Sequence, residues 1–258
     1  MTERWRQALL LIALVILLPA TWRVIVALPA FGDPLSQYGA TVNALLTAGR
    51  HVTNMVAAVN FDVRGFDTLG EESMLVCAIT GTCVLLRGSR GEKLTDKAGY
   101  VPGRAILPRT DATVLISRIA ATLTLLFGVY MLLHGTVTPG GGFQGGVICA
   151  SSLMLLYLGE GYPAWRRIMR SAVHDGLEGG GALAFVVAAA APLLLGYSAL
   201  ENILPLGEQK DLLSGGLMVV VNLAVGVSVT GSFAQLMLEL MEETRSRESD
   251  PVPDEADE

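Results

Sequence analysis

Charged residues are scarce in this sequence. Asp, Glu, Lys and Arg together make up 16% of the 258 residues, whereas an ordinary soluble domain carries about 25%. Hydrophobic residues reach 52%, and charge is missing from stretches of about 20 residues, the length that a helix needs to cross a bilayer. The composition therefore predicts an all-α, polytopic integral membrane protein.

Cysteine and histidine are also rare, with three residues of each. Cys77, Cys83 and Cys149 lie in apolar stretches, where they are expected to act as small buried side chains. No C-x-x-C pair or Cys/His zinc spacing occurs, so the sequence predicts no metal centre and no cofactor. A nucleophile with its acid and base is missing as well, which argues against an independent enzyme.

Basic residues do not cluster with aromatic residues, which make up only 6% of the chain. A nucleic-acid-binding surface needs such a cluster, so this class of function is set aside. The net charge of −6 comes largely from the C-terminal end, where Asp and Glu surround Pro251 and Pro253. Residues 242–258 are therefore predicted to form a disordered acidic tail.

Six apolar stretches are predicted to be transmembrane helices. They are Gln7–Leu28, Leu69–Arg87, Ala112–Leu133, Gly142–Leu158, Gly181–Ser198 and Ser214–Glu239. The first is interpreted as a retained helix because it is long for the apolar part of a cleaved signal. Cytoplasmic loops accumulate Lys and Arg, and most of the 18 basic residues share one side if both chain ends are cytoplasmic. This topology, in the inner cell membrane, is the prediction.

The chain is predicted to contain two membrane modules. A cytoplasmic linker at residues 91–110 separates a two-helix module (1–90) from a four-helix module (111–241). Between the first two spans, apolar residues recur at helical spacing and predict one amphipathic helix on the outer surface, with His51 and Asn54 on its polar side. Its apolar residues are Val42, Leu45, Leu46, Gly49, Val52, Val56 and Val59.

A glycine-rich segment runs from His134 to Gly146. Three of its glycines satisfy G-x-G-x-x-G, but a dinucleotide site needs a preceding strand, and apolar helices flank this segment. A Walker-type phosphate loop would have Lys where Gly146 stands. The segment is therefore interpreted as a tight outer turn with close helix packing through small residues. The packing residues are Gly140, Gly141, Gly142, Gly145 and Gly146.

Charged residues in or near a span are usually paired or functional. Glu71, just inside the second span, is the first candidate for an ion path, and the alternative is a favourable interaction with the helix dipole. Arg64 and Asp67 either position Glu71 or form pairs in a solvated loop. His134 either relays protons or bonds to the glycine turn.

Two further polar residues lie within predicted spans. Arg118 is expected to extend its side chain back to the cytoplasmic interface. Asn222, near the middle of the last span, is expected to join helices through hydrogen bonds.

The segment Pro139–Leu158, P-G-G-G-F-Q-G-G-V-I-C-A-S-S-L-M-L-L-Y-L, resembles the MnhB-type subunit of multisubunit Mrp (Mnh) cation/proton antiporters, as do Leu132–Gly135 and Ser214–Leu240. Separately, Val63–Glu71, V-R-G-F-D-T-L-G-E, resembles a motif near the C-terminal end of the large antiporter-like subunit of the same complexes. The same motif occurs in a small separate subunit of membrane-bound hydrogenases. The large subunit's long run of antiporter-like helices is missing here, and no Lys lies in a predicted span.

The resemblance implies an accessory membrane subunit of a sodium (or other cation)/proton antiporter. Such a subunit would contribute to assembly and is a candidate for lining the ion path. Its expected partners are other membrane subunits, the lipid bilayer, sodium ions and protons. The alternative is the equivalent subunit of a redox-driven ion-pumping complex, either hydrogenase-like or respiratory.

Overall fold

The chain is helical throughout the part that the structure, a computed structural model, describes: residues 3–28, 37–89, 109–169 and 171–248. Nine α-helices and one π-helical turn occur in these residues, with no strand. They are α1 (Glu3–Val26), α2 (Gln37–Gly49), α3 (Met55–Ala58), the π-turn (Val59–Val63), α4 (Gly65–Ser89), α5 (Asp111–Leu133), α6 (Gly142–Glu160), α7 (Tyr162–Ile168), α8 (Ser171–Leu194) and α9 (Leu217–Glu248). The predicted all-α class is confirmed.

Five helices in the described residues are long and apolar enough to cross a membrane. Their spans are Gly65–Leu86, Asp111–Leu133, Gly142–Glu160, Val173–Leu194 and Leu217–Met241. They correspond to the last five predicted spans. The first predicted span coincides with α1, whose apolar stretch Leu11–Val26 is shorter. The protein is therefore a multi-pass helical membrane protein, and the sixth crossing stays a prediction.

The predicted amphipathic helix is wrong as a single element, because the chain breaks between α2 and α3. His51 adopts a left-handed backbone conformation with φ of 56°, which a helix cannot contain. Val52 on one side of the break is fully buried, whereas Val56 is 58% exposed. The apolar spacing continues across the break, so the pattern alone cannot reveal it.

The chain forms two compact units, Met1–Thr41 and Val42–Glu258. The predicted module boundary at residues 91–110 does not coincide with this division, since α4 packs on α8 and α9 within the second unit. Helix α9 also continues to Glu248, seven residues beyond the predicted start of the disordered tail. Residues 90–108 and 249–258 lie outside the described residues.

Helix α9 is the central element of the second unit. Two-thirds of its span is buried, against 11% for α5, and it packs against α4, α6 and α8. Glycines allow these close approaches: a Cβ atom on Gly146 of α6 would lie 2.8 Å from the Gly226 carbonyl oxygen of α9. Small residues bring membrane helices into contact in this way.

Candidate functional site

Asn222 of α9 joins the ends of two other helices. Its Nδ2 donates to the Leu132 carbonyl oxygen at the end of α5 (2.8 Å), and its Oδ1 accepts from the Gly142 N–H at the start of α6 (2.7 Å). The side chain is 1% exposed. Helix ends leave backbone groups without intrahelical partners, and inside a membrane these groups need partners from the protein. The prediction that Asn222 joins helices is confirmed.

Asn54 holds the glycine-rich segment from the other side. Its Nδ2 lies within hydrogen-bonding distance of three carbonyl oxygens, those of Gly135 (2.7 Å), Thr138 (2.9 Å) and Gly140 (3.3 Å). Its Oδ1 accepts from the Val56 N–H and caps α3. The predicted exposed position of Asn54 is wrong: the residue is 7% exposed.

The glycine turn needs its glycines for two different reasons. Gly140 and Gly141 have φ values of 146° and 149°, which L side chains rarely adopt. Gly142, Gly145 and Gly146 follow in α6 and are buried. A Cβ atom on Gly145 would lie 2.6 Å from Leu132 Cγ, and one on Gly146 would lie 2.8 Å from Val229 Cβ. The first pair sets the turn, and the other three touch neighbouring helices.

His134 ends α5 and is only partly exposed. Its Nδ1 lies 3.0 Å from the Tyr130 carbonyl oxygen one turn earlier in α5, and its ring packs on the Tyr130 ring with centroids 4.1 Å apart. The imidazole therefore bonds back to its own helix. Its backbone carbonyl, rather than its ring, binds the glycine segment, by accepting from the N–H groups of Val137 and Thr138.

The first ion-path candidate, Glu71, lies on an exposed face of α4. Arg64 and Asp67, at the start of the same helix, form an ion pair with each other, and both side chains are more than half exposed. Helix α4 begins at Gly65, four residues before the predicted span. The structure therefore places these three residues on the surface of the chain and does not enclose them.

Arg118 differs from its predicted role. Its guanidinium forms a bidentate pair with Glu160 at the end of α6, with Nε–Oε1 at 2.5 Å and Nη2–Oε2 at 3.0 Å. Bidentate pairs of this kind fix both side chains, so Arg118 links α5 to α6. Cys77 also departs from expectation because it is exposed, whereas Cys83 and Cys149 are buried as predicted.

Sequence reasoning missed Glu72, the neighbour of Glu71. Glu72 is 2% exposed, and neither carboxylate oxygen has a hydrogen bond of normal geometry. It shares one face of α4 with the buried residues Gly65, Thr68, Ile79 and Cys83. Their spacing of three, four and seven residues is a helical pattern, so the periodicity of this span contained the signal.

Comparisons with known proteins identify the second half of the chain. Residues 112–235 match the family model described as a domain related to the MnhB subunit of a Na⁺/H⁺ antiporter. This part of the chain is an MnhB-like domain. It coincides with the predicted four-helix module, and it contains Asn222 and the glycine turn.

Two relatives share sequence with the chain. An uncharacterised protein of Methanocaldococcus jannaschii is 29% identical over 209 residues, which cover 73% of this chain and 77% of that protein. The MnhB-type subunit of the Na⁺/H⁺ antiporter of Alkalihalophilus pseudofirmus is 46% identical over 44 residues, 17% of this chain and 31% of the relative. The second match has the higher identity but covers less than a third of the relative.

Two solved structures share the fold. A chain of the membrane-bound sulfane sulfur reductase, an archaeal respiratory membrane complex, aligns with a TM-score of 0.67 at 22% identity and covers 92% of this chain and 98% of that one. A chain of the Mrp complex from Dietzia sp. DQ12-45-1b gives 0.70 at 22% identity, covering 93% of this chain and 26% of that one. The fold of the MnhB-like domain with its N-terminal extension thus occurs inside multisubunit membrane complexes.

Proposed function

We propose that this protein is an accessory membrane subunit of a multisubunit cation/proton antiporter in the inner cell membrane, with no catalytic activity of its own. The observation that carries the proposal is the MnhB-like domain at residues 112–235. The relative from Alkalihalophilus pseudofirmus is itself named as a subunit of a Na⁺/H⁺ antiporter. All three lysines, Lys93, Lys97 and Lys210, lie outside the predicted spans, so an intramembrane Lys relay would have to come from other subunits.

The outer face of the MnhB-like domain supports a role within a larger assembly. Helix α5 is almost entirely uncovered, and Leu115, Ile116, Ile119, Leu123 and Leu126 are each more than half exposed. In a membrane protein such a face meets lipid or another subunit. Glu71, Asp67 and Arg64 are exposed as well, so we propose that they line an ion path only where a second subunit covers α4. His134 remains a candidate at the end of α5.

The second candidate function is the equivalent subunit of a redox-driven respiratory complex. It is favoured by the match to the sulfane sulfur reductase complex, whose chain is covered almost completely, whereas only 26% of the Mrp chain is covered. A separate subunit of this length therefore has a structural counterpart in the respiratory complex. The difference between the two functions lies in the partner subunits.

Purification from the native membrane distinguishes the two functions. The chain, tagged at its C-terminus and expressed from its own locus, is extracted in mild detergent, and the proteins that copurify are identified by mass spectrometry. We expect antiporter-type membrane subunits without iron–sulfur proteins. Iron–sulfur subunits in stoichiometric amount would support the respiratory function instead, and a chain that purifies alone would contradict both. Liposomes containing only this chain should show no sodium-driven proton flux.

The predicted topology is tested by cysteine labelling. In a variant lacking Cys77, Cys83 and Cys149, single cysteines are introduced at Asp111, before α5, and at Glu208, between α8 and α9. Both positions are exposed. If both chain ends are cytoplasmic, an impermeant thiol reagent should label the Glu208→Cys variant in intact cells and the Asp111→Cys variant only after lysis. Labelling of Asp111→Cys in intact cells would reverse the assignment of sides.

A further inference from the structure

Buried polar side chains meet where α4, α8 and α9 pack together. Glu72 of α4 lies beside the hydroxyl of Ser228 of α9 and in the field of Glu178 of α8. One turn before Glu178, His174 of α8 is 8% exposed. We propose that Asp175, His174, Glu178 and Glu72 form a proton relay that leads from the N-terminal end of α8 to the middle of the membrane. The relay deepens, and rests on, the proposed function in an ion-translocating complex.

The first observation is that Glu72 has no partner able to stabilise its charge. It is 2% exposed, and both of its oxygens, together with the Ser228 hydroxyl, lack hydrogen bonds of normal geometry. Among the described residues, neither Glu72 nor Glu178 pairs with Lys or Arg. An unpaired buried carboxylate is so costly that the group takes up a proton or a cation. Glu72 is therefore a place where a positive charge is bound.

The second observation is the depth of the site. Ser228 lies near the middle of the 25-residue span Leu217–Met241 of α9. A Cβ atom on Gly231 would lie 2.7 Å from the Glu178 N–H nitrogen, so Glu178 lies at nearly the same level. Carboxylates at this depth are rare, because the surrounding hydrocarbon excludes them. Glu72 and Glu178 thus lie about half-way across the bilayer.

The third observation is a graded path to that depth. Asp175 is 74% exposed, and its Oδ1 lies 2.8 Å from His174 Nδ1. On the other side of the ring, His174 Nε2 lies 3.3 Å from Glu178 Oε2, and both of these side chains are nearly buried. The four side chains therefore lead from an exposed carboxylate through an imidazole to two buried carboxylates.

An imidazole between two carboxylates has the chemistry of a proton carrier. The ring accepts a proton at Nδ1 from the Asp175 side and becomes imidazolium. It then releases its Nε2 proton to Glu178 Oε2, and Glu178 passes the proton to Glu72. The neutral ring is left with its proton on Nδ1 and must reorient, or return the proton, before the next transfer. No electron moves, and one proton travels from the surface to Glu72.

The chemistry of the access point favours a proton over a metal cation. A protonated imidazole would repel a metal cation, and its neutral form offers one nitrogen rather than the oxygen ligands that hard cations prefer. The remaining charged groups near this face are accounted for: Asp62 of the π-turn pairs with Arg50 at 2.7 Å. On α9, Gln235 donates to Glu239, nearly three turns beyond Ser228. A metal cation at Glu72 is thus the competing outcome of the test.

Infrared spectroscopy on the purified full-length chain tests the relay without the partner subunits. The wild-type chain should show the C=O band of a buried protonated carboxyl group, shifted in D₂O and missing in Glu72→Gln. After rapid mixing into D₂O, His174→Gln should keep the band but exchange its proton about 100-fold more slowly, the lower end of what a positioned proton carrier contributes. Glu178→Gln should slow it as well. Glu208→Gln, on an exposed loop, is the matched control and should behave as wild type.

Three results would overturn the relay. The band could persist in Glu72→Gln, exchange could be equally fast in His174→Gln, or sodium chloride could abolish the band at fixed pH where choline chloride does not. The last result would identify a cation site. In the native complex, Glu72→Gln and His174→Gln should keep the subunit composition and reduce proton-coupled flux. Unchanged flux in an intact complex would also reject the relay, whereas a wild-type chain without partners would reject only the proposed function.

Discussion

Replacing Gly142 with leucine is expected to prevent α6 from packing on α9. A Cβ atom at this position would lie against the backbone oxygen of Asn222 and 3.0 Å from Val225 Cβ, and backbone atoms have little room to move. Extra atoms in a well-packed interior cost about 1–3 kcal/mol even where side chains can adjust. Because the new side chain meets a helix backbone, we expect the upper end of that range or more.

The measurement is thermal unfolding and size-exclusion chromatography of the purified chain, followed by recovery of the native complex. Gly142→Leu should aggregate or melt well below the wild type and should fail to assemble with its partners. The control is Gly180→Leu in α8, where nothing lies within 4 Å of the added Cβ atom and where leucine favours the helix. An intact complex with altered ion preference in Gly142→Leu would show that the turn selects ions and that its role in packing is minor.

The long apolar helices could be predicted from the sequence because their composition alone decides where they lie. Helices α4 to α6, α8 and α9 correspond to predicted spans, since hydrocarbon forces each uncharged stretch of this length into a helix. The break at His51 could not be predicted. It depends on partners distant in sequence, such as the Gly207 carbonyl oxygen that lies 2.6 Å from His51 Nδ1.

The candidate site could be predicted only in part, for a similar reason. The motif D-T-L-G-E drew attention to Glu71, yet α4 turns that residue outward and its neighbour Glu72 inward. Adjacent residues point about 100° apart on a helix, so the choice between them depends on which face packs on α8 and α9. The apolar residues Ile79 and Cys83, seven and eleven positions after Glu72, mark that face. His174 and Glu178 could not be linked to it, because the pairing of helices is a tertiary property.

Asn222 illustrates how one polar side chain can stabilise three membrane helices. It satisfies the first N–H of α6 and a terminal carbonyl oxygen of α5 at once, and no water reaches a residue that is 1% exposed. Each buried backbone group left without a partner costs about 1–3 kcal/mol. Losing both hydrogen bonds should therefore be among the largest single effects in the MnhB-like domain.

Replacing Asn222 with leucine should lower the melting temperature of the purified chain strongly and abolish assembly of the complex. Asn222→Asp makes the test specific to the hydrogen bonds. An ionised aspartate still accepts from Gly142 N–H but repels the Leu132 carbonyl oxygen, whereas a protonated aspartic acid donates to it as the amide does. The Asp variant should therefore melt closer to the wild type in mildly acidic buffer than in mildly alkaline buffer. If Leu and Asp variants lose equal stability at every pH, packing volume at this site and not hydrogen bonding holds the helix ends together.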